Sequence, residues 1–397
     1  METIPIEIIK EFIKYLNKGD TYVLLFVSKK FVPLIEKQHI SIINEIIKYG
    51  TVNQLKWTET QNHKYYRINI CDLAASNGNL EIMKYAHENG CPWDEDCEYA
   101  IYKYASNSAA GHGHLDCLKY CHENGCPWDA RTCRNAATGG HLDCLIYAHE
   151  NGCSWDDNTC MNAAAGGHLD CLKYAYENGC KWDKRTSDYT ALGGHLECLK
   201  FAHENGCKWD KGTCISAAMM GNLDCLKYLH ENGCPWDKHT CTFAAIKGQL
   251  DCLIYAHENG CKWNELTCKH AAEEDLSCLI YAHKNGCPWN KMTCDAAASR
   301  GKLDCLIYAH ENGCLWDEIT CNNAAAGGHL DCLKYLHENG CKWNENTCIN
   351  AARNGKLDCL IYIRENGCPW DQRTYKWAVQ CDHLQILQYC IDNGCPQ

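Results

Sequence analysis

"GHLDCLIYAHENGCSWD", residues 140–156, decides the fold of this protein, because close copies of it recur along most of the chain. Each copy holds cysteines and a histidine, so the copies are either metal sites or structural units. The tryptophans of successive copies mostly lie 27 residues apart, with one step of 35 from Trp93 to Trp128 and one of 26 from Trp263 to Trp289. So regular a period is typical of a solenoid, in which each unit packs on its neighbours.

Each copy predicts two short helices. In the second helix Leu142, Leu145 and Ala148 recur at helical spacing, and Asn151-Gly152 ends it. Thr159 is predicted to cap the first helix of the next unit, "CMNAAAG", with help from the acidic residue after the tryptophan. We therefore predict an all-α fold, in which residues 70–397 form an α-solenoid of about 12 helix pairs without β-hairpins between the units.

Composition narrows the class of protein. All 35 cysteines lie from Cys71 onward, no signal peptide is visible at the N-terminus, and no apolar run is long enough to span a bilayer. We therefore expect an intracellular protein with reduced thiols that does not associate with membranes. Residues 1–70 carry ten Lys and Arg against seven Asp and Glu, and the remainder carries 28 against 43. This acidic balance argues against nucleic acid as a partner.

The repeat resembles a known family. Its run T-C-x-x-A-A-x-G-G-H-L-D-C-L-K-Y-x-x-E-N-G is similar to the ankyrin repeat, residue for residue from His141 to Gly152. The first helix is one residue shorter than in the ankyrin pattern, its T-P-L-H signature is absent, and the following loop is about five residues shorter. Short tryptophan-containing repeats of this kind also resemble those of large DNA viruses of amoebae. The resemblance implies a protein-binding array in the cytoplasm of a host cell.

The cysteines are interpreted as core residues. The position of Cys144 becomes Ile82 in the first unit and Ile386 in the last, and a site that accepts isoleucine is a core site. The position of Cys160 becomes Ser187 and Tyr375, and each such change would remove a ligand from a tetrahedral zinc site. Metal binding and thiol redox chemistry remain the alternatives. No catalytic triad, phosphate-binding loop or zinc-protease motif occurs, so we expect neither enzymatic activity nor a cofactor.

Certain positions vary from unit to unit while the skeleton stays constant. We call the positions of Cys144, Cys153 and Cys160 the first, second and third cysteine of a copy. The variable positions are the two residues before the threonine at the position of Thr159, the two after the third cysteine and the two after the alanine pair. Since first helices and loops line the partner-binding face of such solenoids, the candidate partner-binding residues are Lys238, His239, Thr242, Phe243, Glu265, Leu266, Lys269, His270, Lys291 and Met292. Neutral drift at exposed positions is the alternative.

The first forty residues carry a second resemblance. "IPIEIIKEFIKYLNKGDTYVLLFVSKKFVPLIE" is similar to the F-box in the order and spacing of about ten positions. The resemblance implies a small helical domain over residues 1–38 that binds the Skp-type adaptor of a cullin–RING ubiquitin ligase, followed by a connector or cap over 39–69. The implied adaptor-binding residues are Ile4, Pro5, Ile8, Ile9, Phe12, Leu16, Leu24, Val27 and Phe31.

Together these features predict a monomeric substrate-recognition subunit of a Skp–cullin–F-box-type ligase, whose repeats hold an unknown target protein. The alternative is a scaffold or decoy without a link to ubiquitination, in which the N-terminal helices only cap the first repeat. A metal- or thiol-based sensor is the third possibility.

Overall fold

The computed structural model describes residues 47, 48, 50–53, 55, 70–91, 93 and 104–397. The predicted F-box-like segment, residues 1–38, and its nine candidate adaptor-binding residues lie outside these residues. The chain divides into two compact units, Met1–Asp183 and Lys184–Gln397, and each is described by itself.

Between residues 70 and 397, the described part of the chain folds into helices and turns without a β-strand, as the short loops predict. The helices form pairs, a first helix with an odd number and a second helix with an even number. Those of the first unit are α1 Ile70–Asn77, α2 Leu80–Glu88, α3 Ala105–Gly111, α4 Leu115–Glu123, α5 Ala130–Gly139, α6 Leu142–Glu150, α7 Asp157–Ala165 and α8 Leu169–Glu177.

The second unit continues the same alternation with eight further pairs. Its helices are α9 Lys184–Gly193, α10 Leu196–Glu204, α11 Lys211–Met220, α12 Leu223–Glu231, α13 Lys238–Ile246, α14 Leu250–Glu258, α15 Glu265–Glu274, α16 Leu276–Lys284, α17 Lys291–Arg300, α18 Leu303–Glu311, α19 Glu318–Gly327, α20 Leu330–Glu338, α21 Glu345–Arg353, α22 Leu357–Glu365, α23 Gln372–Gln380 and α24 Leu384–Asp392. Within each unit, first helices pack side by side and each second helix packs on its own first helix. None of the described helices is long and apolar enough to cross a membrane.

The second helices follow the predicted apolar spacing. In α6, Cys144, Leu145 and Ala148 are buried, and an acidic residue in the first turn suits the positive end of the helix dipole. The helix ends at Asn151, and Gly152 then adopts φ +84°, a left-handed conformation that glycine accepts without steric cost. This confirms the helix and the end signal that the sequence predicts.

The first helices begin earlier than predicted. Asp156, not Thr159, is the N-cap of α7, because its side chain accepts a hydrogen bond from the backbone N–H of Asn158. Thr159 lies inside the first turn of the helix and is buried. The prediction of Thr159 as N-cap was therefore wrong, whereas the expected capping role of the acidic residue after the tryptophan is confirmed.

The turn between the two helices ties each pair to the preceding one. Gly140, with φ +74°, follows α5 and lies against the ring of His168 from the next pair. His168 donates a hydrogen bond from Nε2 to the carbonyl oxygen of Thr138 at 3.0 Å, in the last turn of α5. A helix leaves its last carbonyls without partners inside the helix, so the histidine of one pair completes the first helix of the pair before it.

Part of the connector plays the role of a preceding pair. Ile47 and Leu55 are buried, and the side-chain amide of Asn79 donates to the carbonyl oxygens of Ile47 and Gly50, both at 3.2 Å. Asn79 occupies the position of His168 in its own pair. These contacts place Ile47, Gly50 and Leu55 where a neighbouring pair would otherwise complete the stack.

Candidate functional site

An exposed apolar row crosses the first turns of three consecutive first helices in the second unit. Leu266, Met292 and Ile319 are the second residues of α15, α17 and α19, and we call them the apolar row. Met292 is 38% exposed, Ile319 is 45% exposed and Leu266 is half-buried. Most exposed large hydrophobic residues in a folded protein are scattered singly, so three at equivalent positions of neighbouring helices mark a candidate contact surface.

Two of the predicted partner-binding residues belong to this row, and the sequence reasoning missed the third. Ile319 stands one unit after Met292 at the equivalent position, so a comparison of the copies would have found it. Leu315, in the loop before α19, is 77% exposed and was missed too. It takes the place of the proline or lysine that follows the second cysteine in neighbouring copies.

The remaining candidate residues fall into three classes of exposure. Lys238, His239, Glu265 and Lys291 are exposed; Phe243, Lys269 and His270 are half-buried; Thr242 is buried. The expectation that Thr242 faces a partner is wrong for this structure. Its hydroxyl donates to the carbonyl oxygen of Lys238 at 2.9 Å and lies 3.4 Å from the hydroxyl of Thr267 in the next pair.

Thr242 illustrates a rule that the sequence reasoning missed. The residue after the third cysteine faces the threonine of the next pair and, where it is short and polar, bonds to it. Thr320 donates to Asp295 at 2.5 Å, and Thr347 donates to Asn322 at 2.7 Å. Within the described residues, Thr240 has no hydrogen-bond partner for its hydroxyl, and the residue 25 positions before it is Ile215. Variation at this position therefore reflects packing between pairs.

Charges around the row are partly neutralised between pairs. Lys291 Nζ lies 2.6 Å from Asp317, and Lys211 Nζ lies 3.0 Å from Asp237, so the lysine that opens one first helix meets the N-cap of the next. Lys238 has a neutral residue, Asn264, at the equivalent place. The hydrogen bond from Lys291 holds the pKa of Asp317 below its ordinary value.

Ion pairs within α15 hold the half-buried charged side chains of this surface. His270 Nδ1 lies 2.8 Å from Glu273 one turn later in α15, and Lys269 Nζ lies 3.8 Å from the same carboxylate. Both side chains are thereby held along the helix. Lys238, Glu265 and Glu318 are further exposed charged groups beside the apolar row, and His239 is exposed with its Nδ1 3.0 Å from Asp237.

The cysteines form the interior. In the described residues every cysteine is buried except Cys381, which is half-buried, and no group of three or more His, Cys, Asp or Glu could hold a metal ion. Cys144 is 1% exposed, and burial raises the pKa of its thiol to about 12. Cys153 donates from Sγ to the carbonyl oxygen of Asp129 at 3.2 Å, which links the end of a second helix to the start of its own first helix. The prediction that the cysteines occupy core positions is confirmed.

An aromatic ladder follows the loops. His257 stacks on Trp263 at 3.7 Å between ring centroids, and its Nδ1 is hydrogen-bonded to the hydroxyl of Tyr281 in the next pair at 3.0 Å. Trp263 meets the same Tyr281 edge to face. The arrangement repeats along each unit. The tryptophans therefore pack against the core beside the loops, and the histidines pack with them.

Comparison with known proteins agrees with the helix pairs. The family model described as "Ankyrin repeats (many copies)" matches residues 108–149. Among solved structures, the crystal structure of the human ASB11 ankyrin repeat domain shares 19% sequence identity, with 42% of this chain and 84% of that chain aligned at a TM-score of 0.36. None of the curated proteins matches the chain. The described helices form an all-helical α-solenoid, and the ankyrin family model matches the part of it that holds the second and third pairs.

Proposed function

We propose that this protein is a non-catalytic scaffold for protein–protein interaction, and that the apolar row of the second unit binds its target. The observation that carries the proposal is the contrast within each first helix. Threonine, cysteine and alanine repeat at the buried positions, while the second residue, which is half-buried or exposed, changes and becomes apolar in three consecutive helices. Ankyrin repeats in general bind protein partners, which supports the same function here.

The chemistry of the row defines the class of target. Interfaces between proteins concentrate their energy in a few apolar anchors surrounded by polar groups. Leu266, Met292 and Ile319 supply the anchors, Lys238 and His239 lie on one side, and Glu318 lies beside Ile319. We therefore propose a target that presents an apolar strip with an acidic group placed to meet Lys238.

Co-purification from cells tests whether the apolar row binds the target. In the test variant Leu266→Lys, Met292→Lys and Ile319→Lys are combined, and the control variant is Leu384→Lys, an exposed leucine of α24 outside the row. We expect the test variant to recover at least about tenfold less of the bound proteins than the wild type does, because each lost anchor costs about 2 kcal/mol or more of binding free energy. Equal recovery of the same proteins with both variants would exclude the apolar row as the binding surface.

We also propose that residues 1–38 recruit a Skp-type adaptor, so that the target is brought to a cullin–RING ubiquitin ligase in the cytoplasm of a host cell. The support is the order and spacing of the F-box-like residues in the sequence, notably Ile4-Pro5, Phe12 and Val27-Ser28-Lys29. In this mechanism the protein supplies proximity alone, and the ligase performs the transfer.

Adaptor binding is tested with a variant that carries polar residues at Pro5, Ile8 and Leu24. Pull-down with a Skp-type adaptor should succeed with the wild type and fail with the variant. The repeats should melt as before, because solenoid units depend mainly on their nearest neighbours. A wild type that binds no such adaptor, together with a variant that melts early, would leave the scaffold or decoy with an N-terminal cap.

A further inference from the structure

Thiols lie side by side inside almost every helix pair. The first helix of a pair carries the third cysteine, and the loop after the second helix carries the second cysteine, about twenty residues later in the sequence. These two cysteines lie next to each other. The two sulfur atoms of Cys321 and Cys341 are 3.0 Å apart, and Cys321 donates to Cys341. A disulfide has a sulfur–sulfur distance of about 2.05 Å, so closure of this pair requires a movement of about 1 Å.

In two pairs that lack the third cysteine, a thiol from a different position lies beside the second cysteine instead. Where Ser106 replaces the third cysteine, Cys121 stands at a position that is alanine in most other pairs and hydrogen-bonds to Cys126. Where Tyr375 replaces it, Cys390 stands at the same position of the last pair and hydrogen-bonds to Cys395. A requirement for core filling alone would not restore a thiol neighbour from a different helix.

Cysteines occupy the same two positions in eight other pairs: Cys71 and Cys91, Cys133 and Cys153, Cys160 and Cys180, Cys214 and Cys234, Cys241 and Cys261, Cys268 and Cys287, Cys294 and Cys314, and Cys348 and Cys368. In several of them the first-helix thiol donates to the backbone of its neighbour, as where Cys160 Sγ lies 3.7 Å from the carbonyl oxygen of Cys180 and Cys133 Sγ lies 3.9 Å from that of Cys153. The two thiols are close enough that the Cys153 thiol raises the pKa of Cys133. The pair that opens with α9 differs, because there Ser187 donates to Cys207 at 3.2 Å.

We propose that these paired thiols are a repeated modification site, at which a small peroxide converts each pair to a disulfide within its own repeat. The inference stands apart from the proposed binding function, since it concerns the interior of the repeats. Most of these bonds would join the first helix of a pair to the loop after its second helix, and those of Cys121 and Cys390 would join the second helix to that loop.

The two thiols take different parts in the reaction. Cys341 is 5% exposed and Cys321 fully buried, so a peroxide meets Cys341 first. The hydrogen bond from Cys321 lowers the pKa of Cys341, which favours the reactive thiolate. The Cys341 thiolate attacks one peroxide oxygen, the O–O bond breaks, and a sulfenic acid and hydroxide result. Cys321 then gives up its proton and attacks the sulfenic sulfur, which releases water and leaves the disulfide. The two thiols lose two hydrogens in all, and hydrogen peroxide becomes two waters.

The cysteines of the second helices provide an internal control. Burial raises the pKa of Cys144 to about 12 and keeps its thiol protonated. We expect it to react with peroxide at least about tenfold more slowly than the paired thiols. Ser187 provides a second control, because Ser187→Cys would complete the pair that the sequence leaves out.

The test uses the full-length reduced protein, treated with hydrogen peroxide, alkylated after denaturation and mapped by mass spectrometry without reduction. We expect links between Cys133 and Cys153 and between Cys321 and Cys341, with Cys144 alkylated. Ser187→Cys should add one link to Cys207. Cys321→Ser should remove only its own link and leave Cys341 as a sulfenic acid that dimedone captures. Links that join different repeats, oxidation of Cys144 at the same rate as the pairs, or no added link in Ser187→Cys would overturn the proposal.

Discussion

The glycine between the two helices of a pair meets two requirements at once. Gly140 has φ +74°, and a β-carbon at this position would overlap the ring of His168. Gly152, which ends the second helix, has φ +84° with nothing within 4 Å of an added β-carbon. The two residues share the backbone conformation and differ in their surroundings.

We predict that Gly140→Ala destabilises the protein more than Gly152→Ala does. Left-handed backbone costs a residue with a β-carbon about 1–2 kcal/mol, and only Gly140→Ala adds the overlap with His168. Midpoints of urea unfolding measure the difference. In a protein that carries His168→Ala, the loss of unfolding free energy caused by Gly140→Ala should be closer to the loss caused by Gly152→Ala. An unchanged difference between the two losses would mean that the histidine ring does not matter.

Asp317 supports a pH prediction. The hydrogen bond and charge of Lys291, together with the backbone N–H of Ile319, lower the pKa of Asp317. A carboxyl group with a lowered pKa stabilises the fold above its unfolded pKa of about 3.9 and loses that contribution as the pH falls through its folded pKa. Asp317→Asn should therefore unfold at a lower temperature than wild type at pH 7.

The difference between the two proteins should shrink as the pH falls through the lowered pKa of Asp317, and it should disappear once that carboxyl group is neutral in both the folded and the unfolded state. Lys291→Gln is the matched control, because it removes the cation and keeps the N-cap. A difference that persists unchanged at low pH would assign the effect of Asp317→Asn to helix capping.

At the scale of the elements, the aromatic ladder joins one pair to the next. In the described pairs that are followed by a tryptophan, the position of His257 holds histidine, tyrosine or arginine, and each keeps the contact with tryptophan; the last pair has Ile391 there and no tryptophan after it. Tyr176 stacks on Trp182 with centroids 4.0 Å apart, and the Arg364 guanidinium lies 4.2 Å from the centre of the Trp370 ring. The flat group above the tryptophan is thus the common requirement.

We predict that His257→Ala destabilises the protein by about 1–2 kcal/mol, because it removes both the stack on Trp263 and the hydrogen bond to Tyr281. Tyr281→Phe removes only the hydrogen bond and should cost about 0.5–1.5 kcal/mol. His257→Tyr keeps the stack and should fall nearest to wild type. Chemical unfolding ranks the three, and a Tyr variant as unstable as the Ala variant would contradict the importance of stacking.

The sequence predicts the second helices well because the signals for their course and their end are local. The apolar spacing of Leu142, Leu145 and Ala148 and the Asn-Gly stop each act within a turn or two of the helix. The start of the first helix was placed late because threonine and aspartate are both good N-caps, and the chain uses Asp156.

The candidate site was less predictable because periodicity shows which positions vary and leaves open where they point. Thr242 varies and faces the next helix, whereas Ile319 varies and faces outward. Only the packing of neighbouring helices separates the two cases. The cysteines illustrate the converse, since tolerance of Ile82 and Ile386 identified Cys144 as a core position from sequence alone.

At the scale of the whole molecule, the core interpretation of the cysteines predicts independence from metal. The reduced protein should contain far less than one zinc per chain after dialysis. Its circular dichroism and melting temperature should not change with a chelator, because no fold-stabilising ligand is removed. Stoichiometric zinc that survives dialysis, together with unfolding on chelation, would contradict this prediction.

In the second unit each helix pair makes its main contacts with the pairs immediately before and after it. Under a pulling force applied to residues 184 and 397, such an array lengthens by releasing one pair at a time. A released pair of 27 residues adds roughly 90 Å of extended chain. A force–extension trace of the reduced unit should therefore show evenly spaced steps, and peroxide treatment should shorten them. The 27-residue spacing of the tryptophans thus becomes a length that an optical trap can read.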